Sequence, residues 1–244
     1  MKICRKTIAI LATLTALHSF ADPQEEQPMR FLCIGDSITQ GGRNDRPEHT
    51  YRLPLQRMLH EAGRKYEFIG SQTKGLHGDT VWPEVAPGVP FDPHHEGYYG
   101  NRTAAVVDKV IAAWQDDQPA PDVVLVHLGT NDQGNLPHEE TVQAPLKKLI
   151  EFLRGKNPRV KILLGHLNFN DSKGGNSIRP LVEALAAEMT TAESPVVTVH
   201  HYKGWHEKPD HPETDTFDWA HPNPQGQAKM AAAWLKALQD LPEK

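Results

Sequence analysis

This sequence has few cysteines, no excess of positive charge and few long apolar runs. Only Cys4 and Cys33 are cysteines among 244 residues, and Cys4 lies in the leader described below, so no intramolecular disulfide is expected after processing. Cys33 lies in an apolar run and is predicted to be a packed core thiol. The 26 Lys and Arg residues are outnumbered by 31 Asp and Glu, for a net charge of −5. Nucleic-acid surfaces are basic, so no nucleic-acid partner is expected.

The first 21 residues have the pattern of a secretory signal peptide. Three basic residues open this segment, and residues 7–17 are mostly apolar but shorter than the about 20 residues that a membrane-spanning helix needs. Small residues at Ser19 and Ala21 suit a cleavage site. We therefore predict a signal peptide over residues 1–21, export to the periplasm or the outside of the cell, no transmembrane segment, and one domain over residues 22–244.

Apolar strands alternate with helical patterns along the rest of the chain. Five strands are predicted at residues 30–34, 66–69, 123–128, 160–164 and 196–199, and helices at residues 51–61, 103–114, 139–154, 178–189 and 225–238. This alternation is typical of an α/β fold with a parallel five-stranded sheet between two helix layers, a three-layer αβα sandwich. Ligands of such sheets bind at the carboxyl ends of the strands.

Polar residues with complementary chemistry follow three of these strands. Ser37 follows the first strand and Asn131 the third, while Asp218 and His221 lie between the fifth strand and the last helix. A serine hydroxyl is a weak nucleophile until a base takes its proton. An imidazole can be that base, and a carboxylate can hold it in the correct tautomer. The sequence therefore predicts one site at one edge of the sheet, with Ser37, His221 and Asp218 as a catalytic triad.

Three sequence blocks carry a family resemblance. They are Gly35-Asp36-Ser37-Ile38-Thr39, Gly129-Thr130-Asn131-Asp132 and Asp218-Trp219-Ala220-His221-Pro222. In this order they resemble the SGNH or GDSL hydrolase family, and the resemblance covers essentially the whole chain after the leader. It implies a flavodoxin-like three-layer sandwich and hydrolysis of esters through an activated serine.

The resemblance also implies the donors of an oxyanion hole. These are the backbone N–H groups of Ser37 and Gly100 and the side-chain amide of Asn131. Glycine suits a donor position where the backbone approaches the substrate closely. Gly100 ends the segment that best matches the family's glycine block, and Gly97 in the same segment is the alternative.

Histidines are abundant in two loops, yet no metal or other cofactor is expected. Adjacent side chains of an extended chain point in different directions, and the run His94-His95-Glu96 matches no zinc-binding spacing. Solvent-exposed loop histidines are the expectation for His200, His201, His206 and His211.

Two long connections, residues 71–102 and 201–217, are rich in proline, glycine and aromatic residues. Long irregular connections in a compact domain are usually functional or disordered, and their aromatic content favours ordered loops beside the site. Aromatic rings can stack on sugars. The predicted substrate-binding residues are Trp82, Tyr98, Tyr99, Trp205 and Trp219. The alternative is that these rings form a small core beneath the loops.

Further segments resemble the acetylxylan-esterase-like branch, carbohydrate esterase family three. They are Tyr51-Arg52-Leu53-Pro54-Leu55, Phe68-Ile69-Gly70-Ser71 and His95-Glu96-Gly97. This branch implies a secreted esterase that removes acetyl groups from carbohydrate. Two alternatives stay open: a general short-chain esterase, thioesterase or lipase of the same fold, and a non-catalytic carbohydrate-binding protein on the same scaffold. The oligomeric state is left open.

Overall fold

A parallel sheet lies between two layers of helices in the computed structural model, which describes residues 27–169 and 173–241. The strands are β1 Met29–Gly35, β2 Tyr66–Ile69, β3 Glu96–Gly97, β4 Val123–His127, β5 Lys161–Gly165 and β6 Val196–Val199. The helices are α1 Ser37–Gln40, α2 Arg52–Glu61, α3 Thr103–Ala113, α4 Ala144–Lys156, α5 Lys173–Met189 and α6 Pro224–Gln239, with a π-helical turn at Glu139–Gln143 before α4. The predicted signal peptide lies outside the described residues.

The sheet order is β2-β1-β4-β5-β6, with every neighbouring pair parallel. The α/β fold with five principal parallel strands is thereby confirmed. The structure adds the short strand β3, which pairs Glu96 and Gly97 with Ile34 and Gly35 at the end of β1. A two-residue strand has no periodicity in the sequence, so it was not predicted. Helix α5 begins five residues before its predicted start, because Gly174 and Gly175 disfavour a helix in the sequence.

Alternating residues of the strands form two apolar cores. Leu32 and Ile34 of β1 pack in the core that also contains α3, α4 and α5 side chains. Phe31 and Cys33 face the other core, which contains α2 and α6 side chains. Cys33 is fully buried, and burial raises the pKa of its thiol to about 12, so it is an unreactive core residue as predicted. No helix within residues 27–169 and 173–241 is long and apolar enough to cross a membrane.

Two histidines, His127 and His201, are buried on the side of the sheet that faces the second core, with ring centres 5.6 Å apart. His201 is 4% exposed and its ring lies 4.4 Å from that of Trp234, so the expectation of a solvated loop histidine at this position is wrong. His127 is also buried and donates from Nε2 to Asn168 Oδ1 (3.2 Å). Burial lowers the pKa of His127 to about 4 and the pKa of His201 well below its ordinary value. Both rings are therefore neutral in the folded protein.

These histidines predict a loss of stability in acid. An unfolded histidine takes up a proton near pH ~6.5, whereas folded His127 does not until about pH 4. Its contribution is therefore complete above the unfolded pKa and falls as the pH drops toward 4, by about 2 kcal/mol between pH 7 and pH 5. The buried Asp36 carboxyl, with a pKa raised to about 6, acts in the opposite direction.

The variant His127→Gln separates the contribution of this imidazole to the pH dependence of stability from the contribution of groups such as Asp36. Urea unfolding at pH 7 and pH 5 is expected to give a smaller stability change for the variant than for the wild-type chain. An equal pH dependence in the two proteins would contradict the assignment of acid sensitivity to this ring.

Candidate active site

Ser37 lies at a tight turn between β1 and α1. Asp36 caps this short helix, with its Oδ1 accepting the N–H of Ile38 at 3.0 Å. Gly35 allows the chain to reverse closely, because a Cβ there would lie 2.1 Å from Thr39 Oγ1. The turn places Ser37 at the carboxyl edge of the sheet, beside the end of β4.

A buried arginine fixes the last turn of α1. Arg52 donates from Nε to the carbonyl of Thr39 (3.0 Å) and from Nη2 to that of Gln40 (3.2 Å). Its Nη1 binds the carbonyl of Pro93 at 2.8 Å, in the long connection before β3. Burial lowers the pKa of this guanidinium to about 10, so it remains protonated at neutral pH. The helix that starts with Ser37 is thus held to the neighbouring loop by one side chain.

The three residues predicted as a triad meet at this edge. His221 Nε2 lies 2.9 Å from Ser37 Oγ, although the two residues are 184 positions apart. Its other ring nitrogen, Nδ1, lies 2.9 and 3.0 Å from the two oxygens of Asp218. With the proton on Nδ1, the Nε2 lone pair faces the serine hydroxyl. This geometry allows proton transfer from Ser37 to His221, with Asp218 holding the imidazole in place.

The Asp218 carboxylate is kept ionised by its own turn. Oδ1 accepts the backbone N–H groups of Ala220 and His221, each at 2.9 Å. Burial alone would raise the pKa of this carboxyl, but the hydrogen bonds outweigh it and lower the pKa to about 2. The same bonds fold the Asp-x-x-His segment so that carboxylate and imidazole lie side by side.

An arginine that the sequence did not single out binds the same carboxylate. Arg46 Nη1 lies 3.0 Å from Asp218 Oδ2, and its Nε donates to Glu48 Oε2 at 2.7 Å. Glu48 is 3% exposed, and the Arg46 guanidinium also lies 4.8 Å from the centre of the Phe217 ring. Nothing in the sequence links Arg46 to Asp218, which is 172 positions away. The contact gives Asp218 a third partner that fixes its orientation.

Arg46→Met is expected to lower kcat about tenfold while leaving KM nearly unchanged. Methionine fills similar space, but Asp218 Oδ2 then lacks its cation and the carboxylate gains rotational freedom. Arg46→Lys should recover part of the rate, because it restores the charge without the guanidinium geometry. Steady-state kinetics of both variants provide the measurement. A change confined to KM would show that Arg46 acts on substrate binding instead.

Strand β3 brings a second loop to Ser37. Tyr98 N–H donates to the carbonyl of Gly35 (2.9 Å), which continues the pairing with β1. Tyr99 N–H donates to Gln40 Oε1 (2.7 Å), a side chain at the end of α1. Gly100 follows with a φ of 73°, a left-handed conformation that favours glycine. The turn is therefore attached to both the strand and the helix that position the serine.

The hydrogen bonding separates the two candidate oxyanion glycines. Gly97 N–H donates to His95 Nδ1 at 2.8 Å, so its donor is occupied. The N–H groups of Ser37 and Gly100 have no acceptor within the described part of the chain. Asn131 donates one amide hydrogen to the carbonyl of Asn101 (2.9 Å), and a second hydrogen is available because an amide nitrogen carries two. The arrangement favours Gly100 over Gly97.

Two of the five predicted substrate-binding aromatics are close to His221, Tyr99 in space and Trp219 in sequence. The Tyr99 ring stacks on the His221 imidazole, with centres 5.5 Å apart and planes 15° apart. Trp219 lies between Asp218 and His221 in sequence and is 59% exposed, an unusual state for so large an apolar side chain. Its ring is 6.1 Å from that of Phe169. Both residues offer surface to a ligand at the triad.

The other three predicted aromatics pack within the protein. Trp205 is 7% exposed in the core beside α6, so the expectation that it binds substrate is wrong. Trp82 packs on Phe91 (4.9 Å between ring centres) in a small cluster with Leu53, so this ring belongs to a small core beneath the loop. The Tyr98 hydroxyl donates to a Glu96 carboxylate oxygen at 2.6 Å, and its ring packs against the first core.

Comparison with known proteins gives a consistent set of relatives. Residues 33–229 match the family described as GDSL-like Lipase/Acylhydrolase. A multidomain esterase of Ruminococcus flavefaciens is 24% identical over 254 residues, covering 96% of this chain but 31% of the relative, so the chain spans about a third of that protein.

Solved structures agree with this match. A carbohydrate esterase family 3 structure from Talaromyces cellulolyticus superposes with a TM-score of 0.67 at 25% identity, covering 86% of this chain and 97% of that one. A Clostridium thermocellum family 3 carbohydrate esterase gives 0.66 at 24% identity, with 88% and 98% coverage. The matched region contains Ser37, Asn131, Asp218 and His221. From its fold and from this match, the chain belongs to the GDSL-like Lipase/Acylhydrolase family, the SGNH class of ester hydrolases.

Proposed function

We propose that this chain is an exported serine esterase that removes acetyl groups from carbohydrate. The observation that carries the proposal is the 2.9 Å contact between Ser37 Oγ and His221 Nε2, with Asp218 on the far side of the imidazole. No metal or other cofactor is needed for this chemistry, since nucleophile, base and orienting carboxylate all come from the chain.

The reaction proceeds in two halves. Ser37 Oγ attacks the acyl carbon while His221 Nε2 takes the hydroxyl proton, and the imidazolium then gives this proton to the departing sugar oxygen. The acyl group remains on Ser37 as an ester. A water molecule, deprotonated by His221, attacks this acyl carbon. The Ser37 ester bond then breaks, acetate leaves, and the imidazolium returns the proton to Ser37 Oγ. Asp218 stabilises the imidazolium in both halves.

The negative oxygen of the tetrahedral intermediate is stabilised by fixed donors. The N–H groups of Ser37 and Gly100 and the free amide hydrogen of Asn131 are assigned this role. Asn131→Ala is expected to lower kcat about 10²–10³-fold with little change in KM, because the amide acts on charge that develops in the transition state. Asn135→Ala, an exposed asparagine in the same loop, is the matched control. An effect on KM alone would contradict the oxyanion role.

Several features favour carbohydrate over a long-chain lipid. Next to Arg46 lies an open cleft of about 550 Å³. It is lined by Arg43, Asn44, Asp45, Arg46, Pro47, His49, Asp79, Thr80 and Val81. Seven of these nine residues are polar or charged, a lining that suits hydroxyl groups better than an acyl chain. The exposed Trp219 offers a face on which a sugar ring can stack. The relative from Talaromyces cellulolyticus, 25% identical, is a carbohydrate esterase family 3 protein.

Export is proposed from the leader in residues 1–21, which has the basic, apolar and small-residue segments of a signal peptide. An exported enzyme meets polysaccharide in the periplasm or outside the cell. The free buried thiol of Cys33 is compatible with an oxidising compartment, because burial keeps it from reacting.

The deciding experiment measures acetate released from acetylated xylan, with 4-nitrophenyl acetate in parallel, by the wild-type chain and by Ser37→Ala. Release from both substrates by the wild type, and from neither by the variant, is expected. Cleavage of the small ester alone would point to another short-chain ester as substrate. If folded protein cleaves neither and is not labelled by a fluorophosphonate, a non-catalytic carbohydrate-binding role is favoured.

A further inference from the structure

Three potential metal ligands lie together at the carboxyl edge of the sheet, apart from the residues proposed as the triad. His166 follows β5, His200 follows β6, and Glu183 projects from α5. His166 Nε2 is 2.7 Å from Glu183 Oε1, and His200 Nδ1 is 3.5 Å from the same oxygen. The three ligand atoms all lie within 4.8 Å of one another.

The two imidazoles are held in a common orientation. Their rings stack with centres 5.1 Å apart and planes 13° apart, and His166 Nε2 and His200 Nδ1 both face Glu183 Oε1. The second oxygen of this carboxylate, Oε2, accepts the hydroxyl of Thr198 at 3.1 Å. Hydrogen bonds of this kind orient the carboxylate ligands of metal sites.

One of these nitrogens lacks a hydrogen-bond partner. His200 Nδ1 is enclosed by protein, yet it forms no hydrogen bond within residues 27–169 and 173–241. A buried polar atom left without a partner costs free energy, and such atoms often mark a place for a water molecule or an ion. A cation between this nitrogen and Glu183 Oε1 would satisfy both.

We propose that His166, Glu183 and His200 bind a divalent transition-metal ion, with Zn²⁺ as the ion whose chemistry fits best. Two imidazole nitrogens and one carboxylate oxygen are a typical zinc donor set, and a water molecule would complete four-coordination. Magnesium and calcium prefer oxygen ligands throughout, so a site with two imidazoles does not suit them.

Tetrahedral coordination requires small movements of the three ligand atoms, which lie within 4.8 Å of one another. Metal–ligand bonds of ~2.0–2.1 Å place tetrahedral ligand atoms about 3.3 Å apart. The 3.5 Å between His200 and Glu183 already fits, whereas the 2.7 Å between His166 and Glu183 must widen. The His166 side chain is 1% exposed and fixed, but that of Glu183 is 45% exposed and can move by this amount. Its exposure also gives an ion access from solvent.

The proposed ion would join the ends of β5 and β6 to α5. It shares no ligand with the triad, so this proposal is independent of the proposed esterase function. Binding of the ion is expected to raise the unfolding temperature, because it stabilises only the folded chain.

The test is calorimetric titration of the chelator-treated full chain with ZnCl₂. The variants are Glu183→Gln and His200→Ala. The control is His211→Ala, in a second group of His206, His211 and Glu213 whose ligand atoms are also close together. The wild-type chain and His211→Ala are expected to bind one ion with equal affinity, and each of the two site variants to bind at least ~10²-fold more weakly.

Circular dichroism checks that every variant is folded, and the Zn²⁺-dependent rise in unfolding temperature gives a second readout. The absence of micromolar binding by the folded wild-type chain would overturn the proposal. So would loss of binding in His211→Ala with Glu183→Gln unaffected, because the ion would then belong to the other group.

Discussion

Ser37→Ala is expected to lower kcat for 4-nitrophenyl acetate by roughly 10⁵–10⁶-fold, the largest effect of any single substitution in this chain. Alanine removes the oxygen that forms the acyl-enzyme bond, and no other hydroxyl is paired with His221 among the described residues. The fold should be unaffected, because the side chain is small and, within residues 27–169 and 173–241, its hydroxyl bonds only the imidazole. Initial rates, combined with fluorophosphonate labelling, provide the measurement.

Ser71→Ala is the matched control, since Ser71 is an exposed serine that follows β2. It should keep the wild-type rate and the wild-type labelling. Turnover by Ser37→Ala within tenfold of the wild type would rule out covalent catalysis by Ser37, and so would labelling of that variant. Thermal unfolding of both proteins establishes that any loss of rate comes from chemistry and not from misfolding.

Asp218→Asn is expected to lower kcat by about 10⁴-fold, a loss comparable to that of the same change in other serine triads. The amide oxygen can still accept the N–H groups of Ala220 and His221. The amide nitrogen would then face His221 Nδ1, which must become an acceptor. The proton moves to Nε2, and the imidazole can no longer take a proton from Ser37.

The same amide nitrogen would also face the Arg46 guanidinium. Two hydrogen-bond donors would then lie about 3.0 Å apart, where the wild type has an ion pair between Arg46 and Asp218. We therefore expect a lower unfolding temperature as well as the loss of rate. The kcat of folded Asp218→Asn is the decisive measurement, with Asp210→Asn, an exposed aspartate in the preceding loop, as the control. A loss smaller than tenfold would show that the tautomer of His221 does not depend on Asp218.

The proximity of Ser37, Asp218 and His221, which we propose as a triad, could be predicted from short local sequence patterns. The strands that precede Ser37 and Asn131 are apolar and short, and the helix patterns around them fix a parallel sheet. In a parallel sheet every loop after a strand lies at the same edge, so residues far apart in sequence share one site. The turn of Asp218 and His221 is likewise a local feature, since both oxygen–backbone hydrogen bonds span three residues or fewer.

The contacts that refine the site could not be predicted in this way. Arg46 reaches Asp218 across 172 residues, and its sequence neighbours are ordinary loop residues. The sequence also could not show that the Gly97 N–H binds His95 Nδ1, whereas the Gly100 N–H has no acceptor among the described residues. The burial of aromatic residues could not be predicted either. Trp205 and Trp219 both lie among polar residues in the sequence, but Trp205 is buried and Trp219 is exposed.

By itself, the sequence determined the fold class and the family and indicated which residues to propose as nucleophile, base and carboxylate, because strand periodicity and short motifs depend on neighbouring residues. Only the tertiary structure decided which side chains meet from separate elements. The grouping of His166, Glu183 and His200 is one such case. His166 follows β5, Glu183 lies in α5 and His200 follows β6, so three separate elements bring the side chains together. The burial of His201 against Trp234 is another. Packing between distant elements sets these contacts, and no local pattern encodes them.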